Sequence, residues 1–181
     1  AEAARRGLAN LRDTVDCMPA YIDKKNIDLF TKHAVLTETE MRARYEIHLE
    51  NYCKVTAIEA HTLLDMVTRC ILPAAGKYAD SLAQTLFHKK NCGISLPTVM
   101  EERTLTRVSE QSAALFRICE DLQTALHNAP AADGGIDVAR WYRAEIAART
   151  QQAGELINQL ESIVDAACWP YPTYADILFS V

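Results

Sequence analysis

The chain has 181 residues, 49% of them hydrophobic, with six Gly, six Pro and a formal net charge of -5. That length is enough for one domain with its own core, unaided by disulfides or metals, and that composition excludes a disordered chain. The acidic balance excludes a nucleic-acid or anionic-membrane surface as the main role, because phosphate binding needs clustered Lys and Arg and the one basic pair of note is Lys89-Lys90. No apolar run is long enough to cross a bilayer, and the opening AEAARRGLAN lacks a signal core. The expectation is a soluble, cytoplasmic protein that binds neither nucleic acid nor membrane. The absence of an initial Met in what reads as a helix suggests an excised domain of a longer protein.

In chain order, a short opening segment runs to Pro19, and a small helix is expected over Asp23 to His33, with Ile27, Leu29 and Phe30 on one face. Thr37 precedes Glu40 by three residues, a capping box that starts a helix near Glu38. From there Met41, Tyr45, His48, Tyr52, Val55, Thr62 and Met66 recur at helical spacing, and Ile47, Ile58, Leu63, Val67 and Ile71 widen the apolar stripe. Uninterrupted up to Pro73, this predicts roughly 35 helical residues, about 50 Å long. Pro73 is expected to kink or end the helix, since proline removes a donor and crowds the preceding turn.

The pattern resumes through Tyr78, Leu82, Leu86 and Phe87 to a polar break at 89–93. A third helix is predicted from about Pro97 to His127, with Leu105, Val108, Leu115, Ile118, Leu122 and Leu126 on one face. The loop NAPAADGG leads to a last long helix, Ile136 to Ala167, whose apolar positions include Val138, Trp141, Ile146, Leu160 and Val164. No stretch alternates with period two. The predicted fold is all-α: an up-and-down bundle of long helices forming a single domain over 1–181, closed by an extended, Pro- and aromatic-rich docking tail at 169–181.

Side chains with chemical potential lack the company that chemistry requires. Glu46 with His48 and Glu59 with His61 stand two apart and face different ways, and His61 with Asp65 is a single pair, so no metal site is predicted. The carboxylate pairs Glu38/Glu40, Glu101/Glu102 and Glu120/Asp121 read as capping and solvated faces. Gly134-Gly135 is a helix-to-helix turn rather than a phosphate loop, and no nucleophile motif is present. The six cysteines are scattered without CxxC and read as reduced, mostly buried small residues. Catalytic, cofactor-binding and metal residues are therefore predicted to be none. Two features have an ordinary reading, a solvated face for the first and closure of the bundle core for the second, and a sharper one as contact surfaces. One is the charged run Arg42, Arg44, Glu46, Glu50 and Lys54; the other is the tail, where prolines limit the entropy cost of docking and aromatics bring large area.

Three stretches carry a family resemblance: LRDTVDCMPAY at Leu11 to Tyr21, the stretch from Asn26 to Pro73 with RYEIHLENY at Arg44 to Tyr52 in its long helix, and WPYPTYADILF at Trp169 to Phe179. They resemble the C-terminal region of the type III glutamine synthetases. Residues 88–139 match only in being helical with a loop, and His48, Cys53, Ala57 and His61 depart from the family pattern. The resemblance implies a non-catalytic C-terminal domain of an enzyme that joins glutamate and ammonia with ATP and magnesium or manganese. No cofactor is implied for this chain itself, and no ligase activity for this part alone. Implied partners are the catalytic domain of the same polypeptide and neighbouring subunits of a ring oligomer, with a role in packing, ring assembly or regulation. The candidate interface is Arg44, Tyr45, Glu46, Glu50, Glu59, Asp65, Trp169, Tyr171, Tyr174 and Asp176. The alternative is a free-standing helical protein-interaction module.

Overall fold

The computed structural model of the chain describes residues 2–179, with the backbone alone at Ala3, Ala4, Tyr174 and Ala175. Among these residues there are helices and no strands. In order they are α1 (Glu2–Arg5), α2 (Thr14–Tyr21), α3 (Lys24–Lys32), α4 (Glu38–Met66), α5 (Leu72–Asn91), α6 (Val99–His127), α7 (Gly135–Tyr142), α8 (Ala148–Glu161) and α9 (Tyr174–Leu178). Two π-helical turns join neighbouring helices without a break, Val67–Ile71 between α4 and α5 and Arg143–Ala147 between α7 and α8. The all-α helical fold is as the periodicity predicts.

The chain divides into two compact units. The first is Ala1–Glu59 with Leu126–Ala147, and the second is Ala60–Ala125 with Ala148–Val181. In the first unit α4 starts at the capping box. The Glu40 carboxylate accepts from the Thr37 amide at 2.8 Å and from its hydroxyl at 2.8 Å, and the Thr37 hydroxyl accepts from the Glu40 amide at 3.2 Å. The face of α4 buried in this unit is Met41, Tyr45, Leu49, Cys53 and Thr56, at steps of four and three. Val15 and Met18 of α2, Ile27 of α3, and Ala139, Tyr142 and Ile146 are also buried. This row corrects the predicted stripe, since Ile47 is 61% exposed, Ile58 64% and Val55 42%, while His48 is exposed. Close packing favoured a small thiol and a threonine at the core positions over three branched side chains on the outer face.

Pro19 lies inside α2 rather than between segments, near its C-terminal end, where the one amide it removes is the donor to Val15. Asp13 caps this helix, its carboxylate accepting from the Asp16 amide at 2.8 Å. In the loop before α7, Gly135 has φ +69, and a Cβ on Gly134 would strike the Val138 side chain. Both glycines are thus required by the turn, as their sequence context suggests. The Tyr142 hydroxyl donates to the Pro130 carbonyl at 3.1 Å, fastening that loop to α7.

The second unit is built from the end of α4, α5, α6 and α8. Its core is Val67, Ile71 and Ala75, Val108, Leu115 and Cys119, Ala153 and Leu160, with Val164 and Trp169 from the segment after α8. Pro73 neither ends nor interrupts the helical path. Ahead of it the π turn has the Leu72 amide donating to the Val67 carbonyl, five residues back, so the preceding turn is widened where the proline ring would otherwise clash. α5 and α6 are joined by the loop 92–98. Lys89 meets Glu101 at 2.6 Å and Lys90 meets Glu102 at 3.0 Å across it. The last predicted helix is shorter than expected, ending at Glu161, and carries a π turn at Arg143–Ala147 that no residue announced.

Candidate functional site

The predicted contact residues fall into three groups. On the first unit's stretch of α4, Arg44, Glu46 and Glu59 are exposed, and Glu50 is half-buried in an ion pair with Lys54 at 2.5 Å. Tyr45 is not part of that surface. It is 8% exposed, and burial raises its hydroxyl above the ordinary range. Beside these charges stand the exposed Ile47, Val55 and Ile58, residues that the periodicity assigned to the core. The outer face of α4 therefore combines apolar side chains with alternating charges, a composition suited to a polar-rimmed protein contact.

A groove of about 350 Å³ lies between the first turn of α2 and α4, lined by Thr14, His48, Asn51, Tyr52, Thr56 and Glu59 among others. Next to it, the start of α2 is tied to the second π turn by Arg143, the first residue of that turn. Arg143 donates to Asp16 at 2.6 Å and to Asp13 at 3.1 Å. Burial works against the charge of Asp13. The Asp16 amide and the Arg143 guanidinium outweigh it and hold the carboxyl below its ordinary range. Tyr52, facing the groove, is raised by burial and then by the charge of Asp13. Neither Arg143 nor Asp13 stood out in the sequence, because their pairing spans 130 residues.

In the second unit, Asp65 is exposed and paired with Arg69 at 2.7 Å. Trp169 is 9% exposed and belongs to the unit's core. Tyr171 packs partly against that core, and a hydrogen bond with Cys70, followed by burial, raises its hydroxyl. Asp176 caps α9. It accepts from the Thr173 amide at 2.8 Å and hydroxyl at 2.7 Å, bonds that keep its carboxyl below the ordinary range. The side chain of Tyr174 lies outside the described residues.

Among the described residues, no three His, Cys, Asp or Glu side chains group as a metal site would, and no helix is long and apolar enough to cross a membrane. All six cysteines are free thiols; Cys53 and Cys119 are buried, whereas Cys17 and Cys92 are exposed.

A family model described as the glutamine synthetase C-terminal domain matches residues 1–90. That match covers the helices that carry the exposed apolar and charged face. The chain belongs to the glutamine synthetase C-terminal domain family. It is 31% identical to a glutamine synthetase of Butyrivibrio fibrisolvens, over 99% of this chain and 26% of that protein. It is 26% identical to a type-3 glutamine synthetase of Dictyostelium discoideum, over 98% of this chain and 25% of that protein. A glutamine synthetase of Bacteroides fragilis is 25% identical over 99% of this chain and 25% of its own length. The chain thus spans about a quarter of the length of these relatives and is matched over nearly all of its own length.

Proposed function

We propose that this chain is the non-catalytic helical domain of a type III glutamine synthetase, a polypeptide that joins glutamate and ammonia using ATP and magnesium or manganese. The observation that carries this reading is the match of nearly all of this chain to one quarter of each relative. The nucleotide, the metal ions and the ligation chemistry then belong to the remaining three quarters, and the domain acts by packing on them within a cytoplasmic ring assembly. The outer face of α4 supports a docking role: Ile47, Val55 and Ile58 supply apolar area, while Arg44, Glu46, Glu50 and Glu59 supply a charged rim. In the tail, Trp169 closes the core of its own unit, which leaves Tyr171, Tyr174 and Asp176 as the proposed contacts there.

The test compares glutamine formation from glutamate, ammonia and ATP by the whole polypeptide with that of a version ending before Leu11, with assembly followed by light scattering. Loss of rings and activity together makes the domain an assembly element. Rings that persist with altered activity make it a regulatory one. Unchanged rings and unchanged activity would overturn the reading and favour an independent interaction module.

A further inference from the structure

The hairpin of α5 and α6 ends in a tip whose apolar side chains face water. Phe87, Ile94, Leu96, Val99 and Met100 are each between 40% and 67% exposed. The backbone that presents them is fixed from several sides. Lys90 pairs with Glu102, the Asn91 side chain donates to the Phe87 carbonyl at 2.7 Å, and the Thr98 hydroxyl donates to the Glu102 carboxylate at 3.1 Å. Lys89 crosses the same loop to the buried Glu101. A tip tied down in this way while exposing large apolar side chains is preorganised for a contact, since little ordering remains to be done on docking.

The tip is also basic in an acidic chain. Positions 87–107 hold four Lys or Arg and two Glu, whereas the whole chain has a net charge of -5. Lys89 and Lys90 are taken up by Glu101 and Glu102. Arg103 and Arg107 are exposed, share one face of α6 with Met100 and line a shallow, open groove with Thr106. Neither has an ion-pair partner among the described residues. Such a surface disfavours tip against tip and favours an acidic, apolar partner.

One segment of the chain has that composition. Positions 150–179 hold the carboxylates of Glu155, Glu161, Asp165 and Asp176 and no Lys or Arg. The segment ends in α9 and Phe179, where Ile177, Leu178 and Phe179 are between 64% and 77% exposed. Within one chain the two surfaces are held apart. Pro172 and Ile177 lie beside Met66 and Ile71, next to the start of α5, whereas the tip is at the other end of that 20-residue helix, about 30 Å away.

We propose that the tip of the α5–α6 hairpin is a docking surface for the C-terminal tail of a second copy of this chain. Ile94 and Met100 then cover Leu178 and Phe179 of the other copy, and Arg103 and Arg107 face its carboxylates. The contact joins two different patches, so it runs head-to-tail from copy to copy rather than closing as a symmetric pair. It names the partner of the tail and rests on the docking part of the proposed function, not on the ligase chemistry.

The test places a photoreactive benzophenone amino acid at position 100 of the whole polypeptide that carries this chain. Met100 is 67% exposed, so the replacement leaves the core untouched. Irradiation is expected to give a covalent dimer on a denaturing gel, with Leu178 or Phe179 in the linked peptide. Arg103→Glu with Arg107→Glu should lower its yield about tenfold or more, because like charges then meet, and Arg103→Lys with Arg107→Lys should retain it. Leu178→Ser with Phe179→Ser should lower the yield as well, with an unchanged helical signal. Cross-links confined to one chain, the absence of any cross-link, or a yield that neither damaging double variant changes would overturn the inference. A cross-link to the remaining three quarters of the polypeptide would overturn it too, while leaving the proposed function in place.

Discussion

Lys89 Nζ lies 2.6 Å from Glu101 Oε1, across the loop that turns α5 into α6, and Glu101 is only 2% exposed. Lys89 also donates to the Pro97 carbonyl at 3.3 Å, so one ammonium ties both the loop and the next helix to the end of α5. The second carboxylate oxygen of Glu101 is buried and accepts no hydrogen bond among the described residues, which makes the carboxylate depend on Lys89. Removing one member of a buried pair strands the other charge, whereas removing both does not. Lys89→Met should therefore lower the melting temperature by on the order of 10 °C. Lys89→Met with Glu101→Met should recover most of that loss. Lys90→Met, which breaks the exposed pair with Glu102, should change little. Thermal unfolding followed by circular dichroism measures all three, and equal losses from Lys89→Met and Lys90→Met would refute the special position of the first pair.

The same pair sets a pH dependence. The hydrogen bond from Lys89 holds the Glu101 carboxyl below its ordinary value of 4.5. A depressed folded-state value means that the unfolded chain binds the proton more readily. The stabilisation is then fully present above pH 4.5 and is lost as pH falls through the depressed value. The melting temperature of the native chain should fall between about pH 5 and pH 3. In the Lys89→Met, Glu101→Met double variant that fall should be shallower, and parallel curves for the two proteins would count against Glu101 as its source.

Much of this architecture was legible because it rests on local rules. The Thr37–Glu40 box, the glycine turn at 134–135 and the face of α6 with Val108, Leu115 and Leu122 buried all follow from residues within one or two turns of each other. What escaped detection depends on partners distant in sequence. On α4 the side chains that decide which face is inner are a thiol, a threonine and an alanine at Cys53, Thr56 and Ala60, buried where Val55 and Ile58 are exposed. The π turns have no residue signature, and one of them removes the conflict that Pro73 would otherwise create. Glu101, read as a solvated helix-start charge, is buried because Lys89 on another helix neutralises it. The proposed docking residues were legible as a charged face, but the apolar half of that face was not.

Ala34 ends α3 with φ +53, the one positive value outside glycine among the described residues. The Val35 amide donates to the Phe30 carbonyl at 3.0 Å, the long bond of a Schellman motif whose left-handed position favours glycine. An L side chain in that conformation costs about 1 kcal/mol, and glycine's larger unfolded-state entropy offsets only part of the relief. Ala34→Gly should therefore stabilise the chain by a few tenths of a kcal/mol to about 1 kcal/mol, read as a higher urea midpoint at constant slope. A lower midpoint would show that the turn is held by contacts of the Ala34 methyl.

Leu49 and Ile58 lie on the same helix, and only one of them should matter to folding. Leu49 is fully buried, so Leu49→Ala removes buried methyl groups and leaves a cavity, at a cost of about 2–5 kcal/mol. Ile58 is 64% exposed and Ile47 61%, so replacing both with Ser should move the stability of the chain by no more than about 0.5 kcal/mol per site. Their value, if the outer face of α4 docks on the rest of a glutamine synthetase, lies in assembly: apolar side chains inside a charged rim contribute through the water they release when covered. The double variant of the whole polypeptide should then dissociate at protein concentrations where the native protein stays assembled, as measured by light scattering, with an unchanged helical signal. An assembly as stable as the native one would remove this face from the interface and leave the tail as the remaining proposed contact.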